Sequence, residues 1–166
     1  MKSHRTYLLL TLASLFIVSV QAATPVTTVA AVKRYLAATH FADTFKGGIL
    51  KANVRLGRDS PVTREVLASP NMEREDVVAP VLAQYFTIDE AKALTRFYKS
   101  AAGKAFLGQE LTNVGSPTTD ITLPHAQAQE LGAFSDTVAR RREMSVMGDK
   151  SIRAEYVAAI QRHFSQ

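Results

Sequence analysis

No stretch of this chain alternates apolar and polar residues with the period of two that a half-buried strand requires; its apolar residues recur every three to four positions. Each such run is bounded by Pro, Gly, Ser or Asn, residues that end helices or turn the chain. This pattern points to an all-α fold, a single helical bundle of about six helices built from helical hairpins.

The first run extends from Pro25–Thr28 to about Leu56 and carries two stripes of different phase. Val29, Val32 and Leu36 form one; Phe41, Phe45, Ile49, Ala52 and Leu56 form the other. The phase changes near His40, and the Gly47–Gly48 pair that follows costs roughly 1 kcal/mol per residue relative to Ala, so a bend or break is expected there. Ser60–Pro61 starts a short helix, with Ser as cap and Pro where its missing N–H does no harm. A further helix, Met72 to Tyr85, places Val77, Val78, Val81, Leu82 and Tyr85 inward, with a kink at Pro80. After Leu111 comes the loop "TNVGSPTTDIT", which offers a hinge over 113–122. A long helix over Pro124–Met147 and a last one over Ile152–Phe164 complete the set, the last with the stripe Ile152, Tyr156, Ala159, Ile160 and His163.

Residues 1–22 lie outside that bundle. A basic start (Lys2, His4, Arg5), the apolar run "YLLLTLASLFIVSV" and the small-residue site Val20-Gln21-Ala22 read as a cleavable signal peptide. The apolar run is shorter than the roughly 20 residues a spanning helix needs, so no stable membrane span is expected after cleavage. The expected product is a periplasmic or secreted protein, 23–166, folded as one all-helical domain. Cleavage removes Lys2 and Arg5 and lowers the formal net charge from +5 to +3, too little to indicate a nucleic-acid partner. The chain has no cysteine, so apolar burial rather than disulfides must hold it together.

The densest signal is "YFTIDEAKALTRFYKSAAGKAFL", Tyr85 to Leu107. Thr87-Ile88-Asp89-Glu90 fits a capping box, in which the Thr hydroxyl accepts from the backbone three residues on and Glu90 reaches back to the Thr87 N–H. Asp89 and Glu90 also sit where the helix dipole favours acids, and as neighbours they point about 100° apart, too far to act as one catalytic pair. Ala91, Leu94, Phe97 or Tyr98, and Ala101 form a core stripe. A phosphate-loop reading of "SAAGK" fails twice: Tyr98 stands at the first Gly position, and Ala105 where the hydroxyl belongs. Gly103 is expected to allow close helix packing or a break between two helices.

This segment resembles the hallmark of bacterial secreted proteins that carry domain of unknown function 2059. There a Tyr-Phe-Thr cap leads into an acidic first turn, an Ala-Leu-x-x-Phe-Tyr core and then Ser-Pro-x-Gly; Pro80 in "APVLAQYF" suits the family too. The resemblance covers about 77–107. Ala101 departs from it, standing where the family usually has Pro, and leaves open whether one helix runs through Ser100. The resemblance implies a helical exported protein of unassigned activity and supplies no catalytic residues. A shift of 37 residues also lays Ala91, Leu94 and Phe97 over Ala128, Leu131 and Phe134, an echo that would fit two related hairpins.

Recognisable chemistry is sparse. His40, His125 and His163 form no close metal spacing, although His40 and Asp43 at i and i+3 offer two ligands. No G-x-S-x-G elbow occurs. No catalytic, cofactor-binding or metal residue is assigned, and no cofactor is expected. His40 and His163 continue apolar stripes and read as half-buried core-edge residues, while "RRRE" at 140–143 reads as a solvated helix face. Three functions follow in order. The first is a non-enzymatic interaction module of the cell envelope, with a protein partner or a homodimer and an exposed apolar groove. The second is a periplasmic chaperone or stress protein, "LPHAQ" at 123–127 loosely resembling helical-hairpin chaperones with LTxxQ repeats. The third is an envelope hydrolase whose site assembles from Glu73, Glu75 and Asp76, or from His40 and Asp43. The surface favoured for function is the capped helix with its Gly103 region.

Overall fold

Nine helices and no strand occupy residues 25–56, 60–113 and 122–166, which the computed structural model describes. They are α1 (Pro25–Ala38), α2 (Phe41–Leu56), α3 (Pro61–Ala68), α4 (Asn71–Leu82), α5 (Ile88–Lys99), α6 (Ala101–Asn113), α7 (His125–Ser135), α8 (Val138–Gly148) and α9 (Lys150–His163). The fold class is all-α, as the periodicity requires. The expected signal segment, 1–22, and residues 114–121 of the expected hinge lie outside the described residues.

Nine helices stand where about six are expected because three of the six split, each for a local reason. The first run breaks at Thr39–His40, not at the Gly pair. His40 adopts φ 52, a left-handed conformation that costs a non-Gly residue of order 1 kcal/mol or more, and its carbonyl then accepts from Asp43 and Thr44 N to start α2. Gly47 and Gly48 lie inside α2, whose helix continues through them. The second split is at Ser100, which is extended (φ −71, ψ 169): its N–H closes α5 on the Phe97 carbonyl, and its Oγ accepts from Gly103 N to cap α6. This break advances the phase by one residue, so Ala102 is buried and Ala101, expected in the stripe, is exposed. The third divides the expected 124–147 helix at Asp136–Thr137, where Thr137 Oγ1 accepts from Arg140 N.

The local caps read from sequence form as expected. Ser60 Oγ accepts from Thr63 N at 3.1 Å with Pro61 at the first helical position. Thr87 Oγ1 accepts from Glu90 N at 3.2 Å, and Glu90 Oε2 accepts from Thr87 N at 2.8 Å. α4 passes through Pro80 and ends at Leu82 rather than Tyr85.

The core is assembled mainly from elements distant in sequence: α1 lies against α4 and α5, α4 against α9, and α5 against α8. Val32 and Leu36 of α1, Val78 and Leu82 of α4, and Ala91 and Leu94 of α5 are fully buried in it. Aromatic rings fill the outer layers. Phe97 stacks on Phe134 with centroids 3.7 Å apart and planes at 6°, joining the end of α5 to the end of α7. These rings are two members of the 37-residue echo, and Ser100 and Thr137, also 37 apart, cap the next helix in each case. The echo fails at Ala128, which is exposed where Ala91 is buried.

A buried cation fastens α3 to α4. Arg74, 1% exposed, donates through one terminal nitrogen to the Val66 carbonyl at 2.5 Å, which also accepts from Ser69 Oγ at 2.9 Å, and to the Ser69 carbonyl at 2.7 Å, at the C-terminal end of α3 where a cation is favoured. Its other terminal nitrogen donates to Asn71 Oδ1, and Asn71 in turn donates to Asp43 Oδ1 on α2 at 2.8 Å.

Candidate functional site

On α8 the residues Ala139, Glu143 and Val146, spaced i, i+4 and i+7, form the face turned into the protein. Glu143 therefore enters the interior, at 5% exposure, and "RRRE" is not a uniformly solvated face. Arg141 and Arg142 do face solvent, while Arg140 is half-buried beside Glu143. The packing of α8 on α5 decides this, because the acid occupies the one position of the run that continues the buried face.

Two tyrosines from other helices meet that carboxylate. Tyr35 on α1 donates to Glu143 Oε1 at 2.7 Å, and Tyr98 on α5 donates to Oε2 at 2.9 Å. Arg140 donates through one nitrogen to Glu143 Oε2 at 2.6 Å and to Tyr98 Oη at 2.9 Å. Its guanidinium lies 5.7 Å from the Phe106 ring centroid on α6. A buried carboxylate is tolerated only when paired and hydrogen-bonded, and here three donors supply that. Burial pushes the Tyr35 hydroxyl well above its usual range, and the neighbouring Glu143 carboxylate adds to the effect, so the phenol stays protonated and donates. The group is a lock between α1, α5 and α8: both carboxylate oxygens already accept from protein donors.

Beside the lock is a cavity of about 400 Å³. Tyr35, Tyr98, Arg140 and Glu143 give it a polar floor, Phe41 and Leu107 apolar walls, and Thr44, Met144 and Gly148 an exposed rim. A second, larger concavity of about 510 Å³ lies between α2, α3 and α9. Phe45, Ile49, Val62, Val66, Val157 and Ile160 line it, and its polar positions, Ser60, Thr63, Gln161 and Ser165, carry no charge. Of the second stripe, Phe41 is buried, Phe45 and Ile49 face this groove and are only partly buried, and the side chains of Ala52 and Leu56 lie outside the described residues.

The acids and histidines singled out in the sequence are distributed among separate contacts. His40 Nδ1 and Asp43 Oδ2 lie 3.7 Å apart, both residues exposed, and Asp43 also accepts from Asn71. Glu73 meets His163 Nε2 at 3.0 Å across α4 and α9, and Asp76 pairs with Lys33 of α1. Glu75 is buried between them; burial raises its carboxyl above the usual range, with Asp76 and Asp43 adding to the effect and Lys33 and Arg74 opposing it. Neither histidine is a half-buried core-edge residue. His40 is exposed because it turns the chain in a left-handed conformation, and His163 is exposed because α9 places its ring against Glu73 at the surface. Among the described residues, no three His, Cys, Asp or Glu side chains gather where they could hold a metal ion.

Gly103 is where close approach was expected. A Cβ there would lie 2.1 Å from the Phe97 carbonyl oxygen and 2.7 Å from Tyr98 Cα. The residue lets α6 fold back tightly over the end of α5, which holds Tyr98 toward Glu143.

Fold and site define a class: an all-α protein in which a buried Tyr–Glu–Tyr–Arg lock joins three helices, next to one polar-floored cavity and one apolar groove. The family described as uncharacterized protein conserved in bacteria (DUF2059) is detected over residues 75–113. That segment comprises most of α4, all of α5 and all of α6, and extends beyond the 77–107 resemblance at both ends. It contributes Tyr98 and Phe106 to the site, whereas Tyr35, Arg140 and Glu143 lie outside it. No curated protein and no solved structure matches the chain.

Proposed function

We propose that this protein is a non-enzymatic interaction module of the bacterial cell envelope, exported by its N-terminal segment and using the α2–α3–α9 groove to receive apolar side chains of a protein partner. The observation that carries this reading is the groove itself. Six apolar side chains line an open concavity of about 510 Å³, and among the described residues that line it none is charged, the surface chemistry into which a partner helix inserts its apolar stripe. Engagement of both Glu143 oxygens by three protein donors supports the same reading, since it makes this carboxylate a tie between helices.

The test is photo-crosslinking in intact cells from a reactive residue placed at Ile49, with Met72 on α4, outside the groove, as control. Capture of the same one or two envelope proteins from Ile49, and not from Met72, is the expected result. A broad set of unrelated unfolded clients would transfer the reading to a periplasmic chaperone. Absence of any crosslink, or retention of the protein in the cytoplasm, would overturn it.

A further inference from the structure

Cations on the described surface are in several places matched by acids, as Lys33 is by Asp76 and Arg142 by Glu90. One ridge departs from this. Lys92, Arg96 and Lys99, at i, i+4 and i+7, share one face of α5 and are all exposed, and exposed Lys104 of α6 follows beyond the Ser100 break. Among the described residues none of the four has a carboxylate within ion-pair distance, although Asp89 opens the same face of α5. Helix dipoles do not account for the set: that of α5 favours Arg96 and Lys99 in its last turn, but not Lys92 in its first half, and that of α6 opposes Lys104 near its N-terminus. Lys99, Lys104 and His40 also border a concavity of about 280 Å³ that Ala37, Ala38 and Leu107 line as well, with no acid among its described lining residues.

We propose that this ridge docks the protein reversibly on an anionic lipid surface, with one phosphate head group seated between Lys99 and Lys104. Three side chains spread over about 10 Å of one helix face present their charges to a plane rather than converge on one small anion. An acidic protein partner would need an apolar centre to the contact. Among the described residues the exposed large hydrophobics are Leu50, Met72, Val138 and Met144, on α2, α4 and α8, and none is on α5 or α6. A lipid surface needs no such centre, because each Lys or Arg near it contributes separately. The alanines and Leu107 of the concavity suit the glycerol and first methylenes of the seated lipid. The contact is peripheral: among the described residues no helix is long and apolar enough to cross a membrane. This inference stands independently of the α2–α3–α9 groove.

The experiment measures partitioning of the full chain onto vesicles of equal parts phosphatidylglycerol and phosphatidylcholine, and onto vesicles of phosphatidylcholine alone. The ratio of the two is read, because any apolar contribution from the run 7–20 is common to both. The expected ratio is at least roughly tenfold in dilute salt and falls to about one in molar salt, where charges act over only about 3 Å. The triple change Lys92→Gln, Arg96→Gln and Lys99→Gln should abolish most of that preference. Lys46→Gln, Lys150→Gln and Arg162→Gln together remove the same charge from other helices and should leave most of it. A wild-type ratio near one, or equal losses in the two triples, would overturn the proposal. Displacement from the vesicles by polyglutamate at equal concentration of negative charge would identify an acidic polypeptide as the partner and overturn it too. Circular dichroism checks that each variant folds; should the ridge triple not fold, Lys104→Gln alone takes its place and should lower the ratio roughly fivefold, no change overturning the proposal.

Discussion

Tyr35 and Glu143 are 108 residues apart in the chain and 2.7 Å apart in the structure, a tyrosine hydroxyl on α1 donating to a carboxylate on α8. With Tyr98 and Arg140 they tie three helices through one buried acid. Such a network is costly when only partly satisfied, because a group left without its partner keeps its desolvation penalty.

Removing single members should therefore cost unequal amounts. Tyr35→Phe deprives Oε1 of its donor and should lower stability by about 1–3 kcal/mol. Glu143→Ala removes the buried acceptor that Tyr35, Tyr98 and Arg140 share and should cost about 3–5 kcal/mol. Urea unfolding of the purified variants measures both. Equal, near-zero losses would mean that α8 is not held by this contact.

The two kinds of glycine should respond oppositely to the same change. Gly103→Ala places a methyl 2.1 Å from the Phe97 carbonyl oxygen, a backbone atom that cannot swing aside, and should destabilise strongly. Gly48→Ala meets nothing within 4 Å inside helix α2 and should stabilise by up to about 1 kcal/mol. Thermal unfolding of the pair gives the sign of each, and a stabilising Gly103→Ala would refute the tight return of α6 onto α5.

Core truncation on α5 is a third test. Leu94 is fully buried and Phe97 stacks on Phe134, so Leu94→Ala and Phe97→Ala should each cost about 2–5 kcal/mol. A midpoint shift near zero for both would show that this stripe faces solvent.

Glu75 should leave a pH signature. Its carboxyl is raised in the folded state by burial, so the native protein binds more protons than the unfolded chain between the ordinary glutamate range and the raised value. Stability attributable to this residue then falls as pH rises through that window, and the penalty is complete above it. Glu75→Gln should be more stable than wild type at neutral pH, with the gap closing as pH falls below the glutamate range. Parallel stability–pH curves for the two proteins would contradict this.

Much of the fold was legible because its signals act within a few residues. The 3.6-residue period specifies helices, and Ser60–Pro61 and the Thr87–Glu90 box start α3 and α5 through contacts three positions away. The break at Thr137 was less legible: its hydroxyl cap is a common local motif inside a continuous helical pattern, and the Phe97–Phe134 stack holds the chain there. The Ser100 break depends likewise on Gly103 letting α6 return against the end of α5.

The sequence by itself determined that the chain is helical, where several of its caps lie, and that Val32, Leu36, Leu94 and Phe97 are core. Only the tertiary structure decided that Glu143 of an arginine-rich run turns inward, that Arg74 is buried against the end of α3, and that Phe45 and Ile49 border an open groove. The physical reason is range. Periodicity and capping are interactions between neighbours on one helix, whereas the fate of a charge depends on which donors distant helices bring within 3 Å of it.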